Sequence, residues 1–368
     1  MKKKMFYFAA LVAASAAFTG CSSDEDLSAA QPAGVPFGVS ASVASDQTRG
    51  VDLTDSNFDQ FYLYGVNASD GTSWFTGDEF TPSGDDWTDG STTTWRDGTW
   101  NFYAVTPSAP TSTTFNKTTS TFDYTVDNTD VTNQEDLMVA KATNLSSTDG
   151  KINLQFYHAL ANIKVSARFV EEHFEGSSGY YCKIKSITFH NIKKQGTYDF
   201  SADAWSNQSE YADYTLNVDE SSWGSNGIDN EGYFSFTTND DYVPLTFQEG
   251  PLFVIPQTIT PWATANTTNG DIPLSTANTN NDSYISIECQ IYEDTDDGDA
   301  TFWVCTNTSQ FGKINQKSDA GYGTVYYPLK LSGGALSFNK THHLKITMEN
   351  AFGTDGKVVL KDAEFTVH

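Results

Sequence analysis

Hydrophobic residues in this chain recur at every second position, and no stretch repeats at the three-to-four spacing of a helix. Val35, Phe37, Val39, Ala41 and Val43 alternate with small or polar residues, which puts five apolar side chains on one face of an extended strand. Similar short runs occur at 61–66, 100–105, 122–126, 137–142, 152–156, 163–169, 184–189, 252–255, 284–292, 302–306, 324–331, 344–348 and 358–367. Clusters of Thr, Asn, Asp, Ser and Gly separate them, such as Asp85-Asp86-Trp87-Thr88-Asp89-Gly90 and the stretch 264–271, which carry turn and loop chemistry. Many short strands without strand–helix alternation predict an all-β chain made of β-sandwiches. A long strand-like segment, Phe156-Tyr157-His158-Ala159-Leu160-Ala161-Asn162-Ile163-Lys164-Val165, marks the handover between two domains, 35–160 and 161–368.

The N-terminus has a different pattern. Lys2, Lys3 and Lys4 precede an apolar, Ala-rich stretch at 5–18, shorter than the roughly 20 residues that span a bilayer. Residues 1–20 therefore read as a signal peptide. Its end, Phe18-Thr19-Gly20-Cys21, resembles a bacterial lipobox, in which the Cys is acylated by palmitate-type chains and becomes the new N-terminus; Phe18 stands where Leu is commoner. Cys21 is the expected lipidation site. The acidic run Ser22-Ser23-Asp24-Glu25-Asp26 reads either as a signal for the outer face of the outer membrane or as a solvated tether. Residues 21–34 have the composition of a flexible spacer.

Charge and composition narrow the class of partner. Lys and Arg number 21 against 47 Asp and Glu, a net charge of −26, and losing the leader removes three Lys and no acid. Such a field repels phosphate backbones, so nucleic acid is an improbable partner. Only 38% of residues are hydrophobic, yet 14% are aromatic, more ring surface than a chain too polar to build a core would carry.

Enzyme chemistry finds no foothold. His158, His173, His190, His342, His343 and His368 form no HExxH and no zinc spacing, and there is no GxSxG. His158 follows Phe156 at strand spacing and reads as a packed structural residue. The acidic turn 294–299 has the wrong residues at the later ligand positions of a calcium loop. No catalytic residue, metal or cofactor is implied. One aromatic cluster, Trp74, Phe75, Phe80, Trp87, Trp95 and Trp100, reads either as core packing or as a glycan-binding surface. Turn chemistry also sets a register late in the chain: Asp296-Asp297-Gly298 has the composition of a three-residue hairpin loop, which makes Thr295 face Asp299. Carried along both strands, that register places Cys289 opposite Cys305, as a disulfide or as two reduced thiols, with Cys182 unpaired.

Several segments resemble one family. They are Thr48-Arg49-Gly50 after the first strand, Trp100-Asn101-Phe102-Tyr103-Ala104-Val105-Thr106-Pro107, Asp136-Leu137-Met138-Val139-Ala140, Leu154 to Ile163, Gly196-Thr197-Tyr198-Asp199-Phe200 and Leu252-Phe253-Val254-Ile255-Pro256-Gln257. With the lipobox, they make the chain similar to the fimbrillin family, the lipoprotein subunits of type V pili, in its Mfa-like branch. The resemblance implies two tandem transthyretin-like β-sandwich domains of Greek-key-like connectivity and a lipidated precursor on the surface of the outer membrane. It also implies polymerisation into a fimbrium by strand exchange, after an Arg-specific protease removes the N-terminal strand.

The residues agree with that scheme. Arg occurs only as Arg49, Arg96 and Arg168, and Arg49-Gly50 lies in a polar link suited to a protease. The strand at 35–43 would then leave, and its groove would take a neighbour's strand. The run 358–367 is the candidate donor, with Leu360, Phe365 and Val367 as anchors and a break in alternation at Asp362-Ala363. The expected partners are other fimbrial subunits, the outer membrane through the lipid, and a host or glycan ligand; the alternative is a monomeric surface glycan-binding lipoprotein.

Overall fold

The structure, a computed structural model, describes residues 34–44, 58–107, 115–171, 180–224, 232, 242–262, 281–293, 301–304, 313–314, 316–318, 322–331, 333–350 and 358–367. Among them there is no α-helix, only strands and two short 3-10 turns.

The first eight strands are β1 (Gly38–Val43), β2 (Phe61–Asn67), β3 (Ser73–Ser83), β4 (Asp86–Thr88), β5 (Trp100–Thr106), β6 (Thr121–Thr125), β7 (Met138–Leu145) and β8 (Lys151–His158). Seven of these join in the order β1-β4-β3-β2-β5-β7-β8 as a closed barrel. Closure arises because β1 pairs in parallel with β8, from Gly38↔Lys151 to Val43↔Phe156, and touches β4 at Val39↔Trp87.

The second half carries β9 (Ala161–Glu171), β10 (Tyr180–Asp199), β11 (Ala204–Asn217), β12 (Val243–Pro244), β13 (Leu252–Val254), β14 (Gln257–Thr258) and β15 (Tyr284–Glu293). It continues with β16 (Thr301–Val304), β17 (Lys313–Ile314), β18 (Gln316–Ser318), β19 (Gly323–Pro328), β20 (Ala335–Leu336), β21 (Thr341–Asn350) and β22 (Val358–Val367). One sheet runs β11-β10-β15-β16-β18, with β19 also on β15; the other runs β12-β9-β21-β22-β17, with β13 also on β9. β6 leaves the first half of the chain and pairs with β10, from Thr125↔Gln195 to Thr121↔Asp199.

Burial explains why some strands lack strict alternation. In β5, Trp100, Phe102 and Ala104 point into the barrel core, while Tyr103 and Val105 join the core of the second half. β7 divides likewise, with Met138 and Ala140 inside the barrel and Val139 outside it. A strand covered on both faces reads as a continuous apolar run. β8 shows the opposite case: Ile152, Leu154 and Phe156 are buried, while Lys151, Asn153, Gln155 and Tyr157 face outward and are exposed.

The long β10 shows how one glycine serves the fold. Its ladder to β11 shifts register between Gln195 and Thr197. A Cβ on the intervening Gly196 would stand 3.1 Å from the Trp205 ring and 3.4 Å from Ile255, tighter than an ordinary contact, so a side chain there would push the indole back by a few tenths of an ångström.

Sequence and structure differ at three places. The segment 85–90, expected as a turn, contains β4, because its Trp87 is drawn against Phe58 and Phe61 at ring separations of 4.6 and 5.0 Å. β3 and β11 were not anticipated as strands, since neither alternates cleanly. The first half adds a closure that the strand pattern does not show: β1 bridges the gap between β4 and β8, so the strands join edge to edge around the core.

Candidate assembly site

The strand expected to exchange is β1 with the residues before it. Val39 is fully buried in the barrel core, and Phe37, Ala41 and Val43 pack against the same core half-buried. The Phe37 ring carries most of the contact, with ring centroids 4.7 Å from Trp74, 5.2 Å from Trp95, 5.3 Å from Phe75 and 5.5 Å from Phe102. Main-chain bonds hold the segment at both ends: Phe37 N–H donates to Thr93 at 2.9 Å, Trp95 N–H to Val35 at 2.8 Å, and Ala44 N–H to Phe156 at 2.8 Å. Ser40 donates a side-chain bond to Asn153 of β8.

Val35 corrects the expectation of five inward residues. Its side chain is 45% exposed. The ladder with β8 begins only at Gly38, and before it the chain runs beside Thr93–Trp95, where the Val35 carbonyl is turned to the Trp95 N–H and the side chain to solvent.

The aromatic cluster proves to be what this segment packs on. Trp74, Phe75, Phe80, Trp95 and Trp100 are buried and Trp87 is half-buried, all in the barrel core. Buried rings offer no face to a sugar, so this cluster is not a glycan-binding surface. The Trp95 and Trp100 indoles are also spent on main-chain acceptors, Gly150 at 2.5 Å and Asp97 at 3.2 Å.

Arg49, Gly50 and Cys21 lie outside the described residues. The two other arginines are engaged: the Arg168 guanidinium lies 4.6 Å over the Tyr242 ring and donates to Thr347, and that of Arg96 lies 5.5 Å over Trp74. The candidate donor is strand β22. It pairs with β21 from His342↔Val367 to Glu349↔Val359, and with β17 at Lys313↔Val359 and Ile314↔Val358. Its bulge falls between the pairs Thr347↔Asp362 and Met348↔Leu360, so the extra residue is Lys361, one place before the break at Asp362-Ala363.

The late hairpin follows the expected register where it is described, with Ile291↔Trp303, Tyr292↔Phe302 and Glu293↔Thr301. At Cys289, however, β19 has replaced β16 as the neighbour, and Cys289 pairs with Gly323 on that edge and Ile184 on the other. Cys305 lies outside the described residues. The thiol that meets Cys289 is Cys182, in hydrogen-bond contact with it; both are fully buried and reduced, and burial pushes the Cys182 thiol well above its ordinary range.

A family model for fimbrillin-like proteins matches residues 48–358. The chain belongs to the fimbrillin-like family. A fimbrial protein from Bacteroides vulgatus ATCC 8482 shares its fold at TM-score 0.56 and 14% identity, over 90% of this chain and 98% of that one. A fimbrilin from Porphyromonas gingivalis W83 aligns at TM-score 0.43 and 11% identity, over 90% and 96%. No curated protein matches the chain.

His158 of this fimbrillin is the packed residue its spacing implied: its Nδ1 lies 2.7 Å from Asp136 Oδ2, and both side chains are buried. Sequence reasoning missed Ser40 and Asn153, which tie β1 to β8. Both sit at the polar positions of their strands, and only the pairing of two distant segments brings them together.

Proposed function

We propose that this fimbrillin is a structural or adhesive subunit of a type V pilus, made as a lipoprotein acylated at Cys21 and assembled by strand exchange once the link at Arg49-Gly50 is cut. On this reading the chain consists of two tandem transthyretin-like units, reaches the cell surface on its lipid, and joins other fimbrial subunits.

The observation that carries the proposal is the way β1 completes the barrel. It is a single strand, linked to the body through 45–57, and it fills the seam between β4 and β8 with Val39 fully buried. Its ladder to β8 is parallel, the somewhat weaker kind. Its departure would uncover the β8 edge and a pocket among Trp74, Phe75, Trp95 and Phe102, offering main-chain bonds for affinity and side-chain pockets for register. β22, with Leu360, Phe365 and Val367, is the proposed donor, since among the described residues two of β17 pair on its outer side. The burial of the Trp cluster removes the main support for a monomeric glycan-binding protein.

The test is cleavage. Arg-specific protease should cut the native protein first after Arg49 and yield a ladder of polymers on concentration, and Arg49→Ala should stay folded and monomeric. First cleavage at Arg96, or a cleaved body that stays monomeric, would overturn the proposal.

A further inference from the structure

A cleft of about 500 Å³ opens between the outer face of the barrel and the β10–β11 turn, a size within the roughly 300–1,000 Å³ of small-ligand sites. It lies where β7 and β8 separate. The two strands pair only at Met138↔His158 and Val139↔Tyr157, and beyond those positions their facing edges have no strand between them.

The side chains that reach the cleft are of three kinds. Asn153, Gln155 and Tyr157 line it from the outward face of β8 at every second residue. Lys141 and Asp203 close one side as an ion pair at 2.7 Å, with Lys141 also donating to the Phe200 carbonyl at 2.5 Å. Opposite stands the half-buried Phe338, beside the buried Tyr198. Tyr157 is 39% exposed, one of three large apolar side chains that are exposed among the described residues. Its hydroxyl donates to Gln155 Oε1 at 2.8 Å, which holds the ring beside the amide.

We infer that this cleft is a binding site for a neutral saccharide. An exposed ring with a negative π-face suits the slightly positive C–H bonds of a pyranose. Neighbouring amides, which both donate and accept, suit vicinal hydroxyls. The charges in the cleft cancel within the Lys141–Asp203 pair, and the surrounding protein is strongly acidic, so anionic ligands are repelled and neutral ones are not. The site is separate from the Trp cluster in the barrel core and goes beyond the assembly reading; the one residue the two share is Asn153, which also accepts from Ser40 of β1.

The experiment uses the uncleaved chain with β1 in place and, as probes, short neutral oligosaccharides of glucose, galactose and mannose, followed by saturation-transfer NMR and calorimetry. At least one probe should bind, with Tyr157→Ala and Gln155→Ala each weakening it about tenfold, Tyr157→Phe weakening it less, and a sialylated analogue binding more weakly than its neutral parent. Both alanine variants replace outward side chains, and unchanged urea midpoints would show that they fold. The inference fails if none of the probes binds at about 10 mM, a weaker affinity than the millimolar range of the scale, if Tyr157→Ala binds as well as the parent, or if the anionic analogue is preferred. Polymer formation by the same variants is measured separately, so loss of sugar binding and loss of assembly remain distinct.

Discussion

Phe37→Ala isolates the hold of the first strand on the barrel. Truncating a fully buried Phe costs about 3–5 kcal/mol; the Phe37 ring is half-buried against four other rings, which brings the expected loss to about 2–3 kcal/mol. With a sequence-specific protease site placed in the 45–57 link, the cut segment stays bound through β1 alone, and a fluorophore at its N-terminus reports release on dilution. Released segment should be favoured by roughly 30- to 150-fold in Phe37→Ala, at about 1.4 kcal/mol per factor of ten. Ser42→Ala, at an exposed position of the same strand, should change little. Equal effects from both substitutions would mean that side-chain packing does not hold β1, and the pocket reading would be wrong.

Cys21→Ala should move the protein from the membrane fraction to the soluble one or stop its maturation, read by fractionation and by lipid mass on the N-terminal peptide. Cys182 and Cys289 should resist alkylation in the native protein and react once urea opens the core, because both are fully buried. Asp213 gives a pH-dependent outcome. Partial burial raises its carboxyl, but the bond to His190, that residue's charge and the Asn191 N–H together hold it below its ordinary value. Its contribution is therefore present above the ordinary carboxylate range and lost as pH falls through the lowered value. Asp213→Asn should lower the unfolding free energy read from urea curves at neutral pH by less than about 1 kcal/mol, since the side chain is largely exposed, and the difference should vanish in acid.

What could be read in advance was whatever the alternation of side chains encodes. β8 was legible because one face is buried and the other wet, and β22 because its ends are apolar. β3 and β11 were not. Trp74 and Phe75 are adjacent and both buried, which breaks a period-two pattern, and β11 has exposed polar residues along much of its length, held by pairing to β10 rather than by its own apolar face. The closed barrel was illegible for a related reason: a parallel contact between 38–43 and 151–156 leaves no local trace, since more than a hundred residues separate the partners. The cleft at Tyr157 was hidden too. Its residues come from β7, β8, the end of β10, the β10–β11 turn and the segment before β21, and Asn153, Gln155 and Tyr157 read on their own as the ordinary outward residues of a half-buried strand.

The excursion of β6 has a mechanical consequence. The chain leaves the barrel after β5, adds β6 to the β10 sheet, returns for β7, and crosses again between β8 and β9. Two bodies joined by one linker can hinge; here three covalent crossings, a five-residue ladder at Thr121–Thr125 and a shared core reached by Val66, Tyr103, Val105 and Val139 brace them against bending and twisting. A filament of such subunits would therefore yield at its joints and stay stiff within each repeat, and a pull transmitted through one repeat would load both bodies together. For the same reason neither half is expected to survive when expressed without the other.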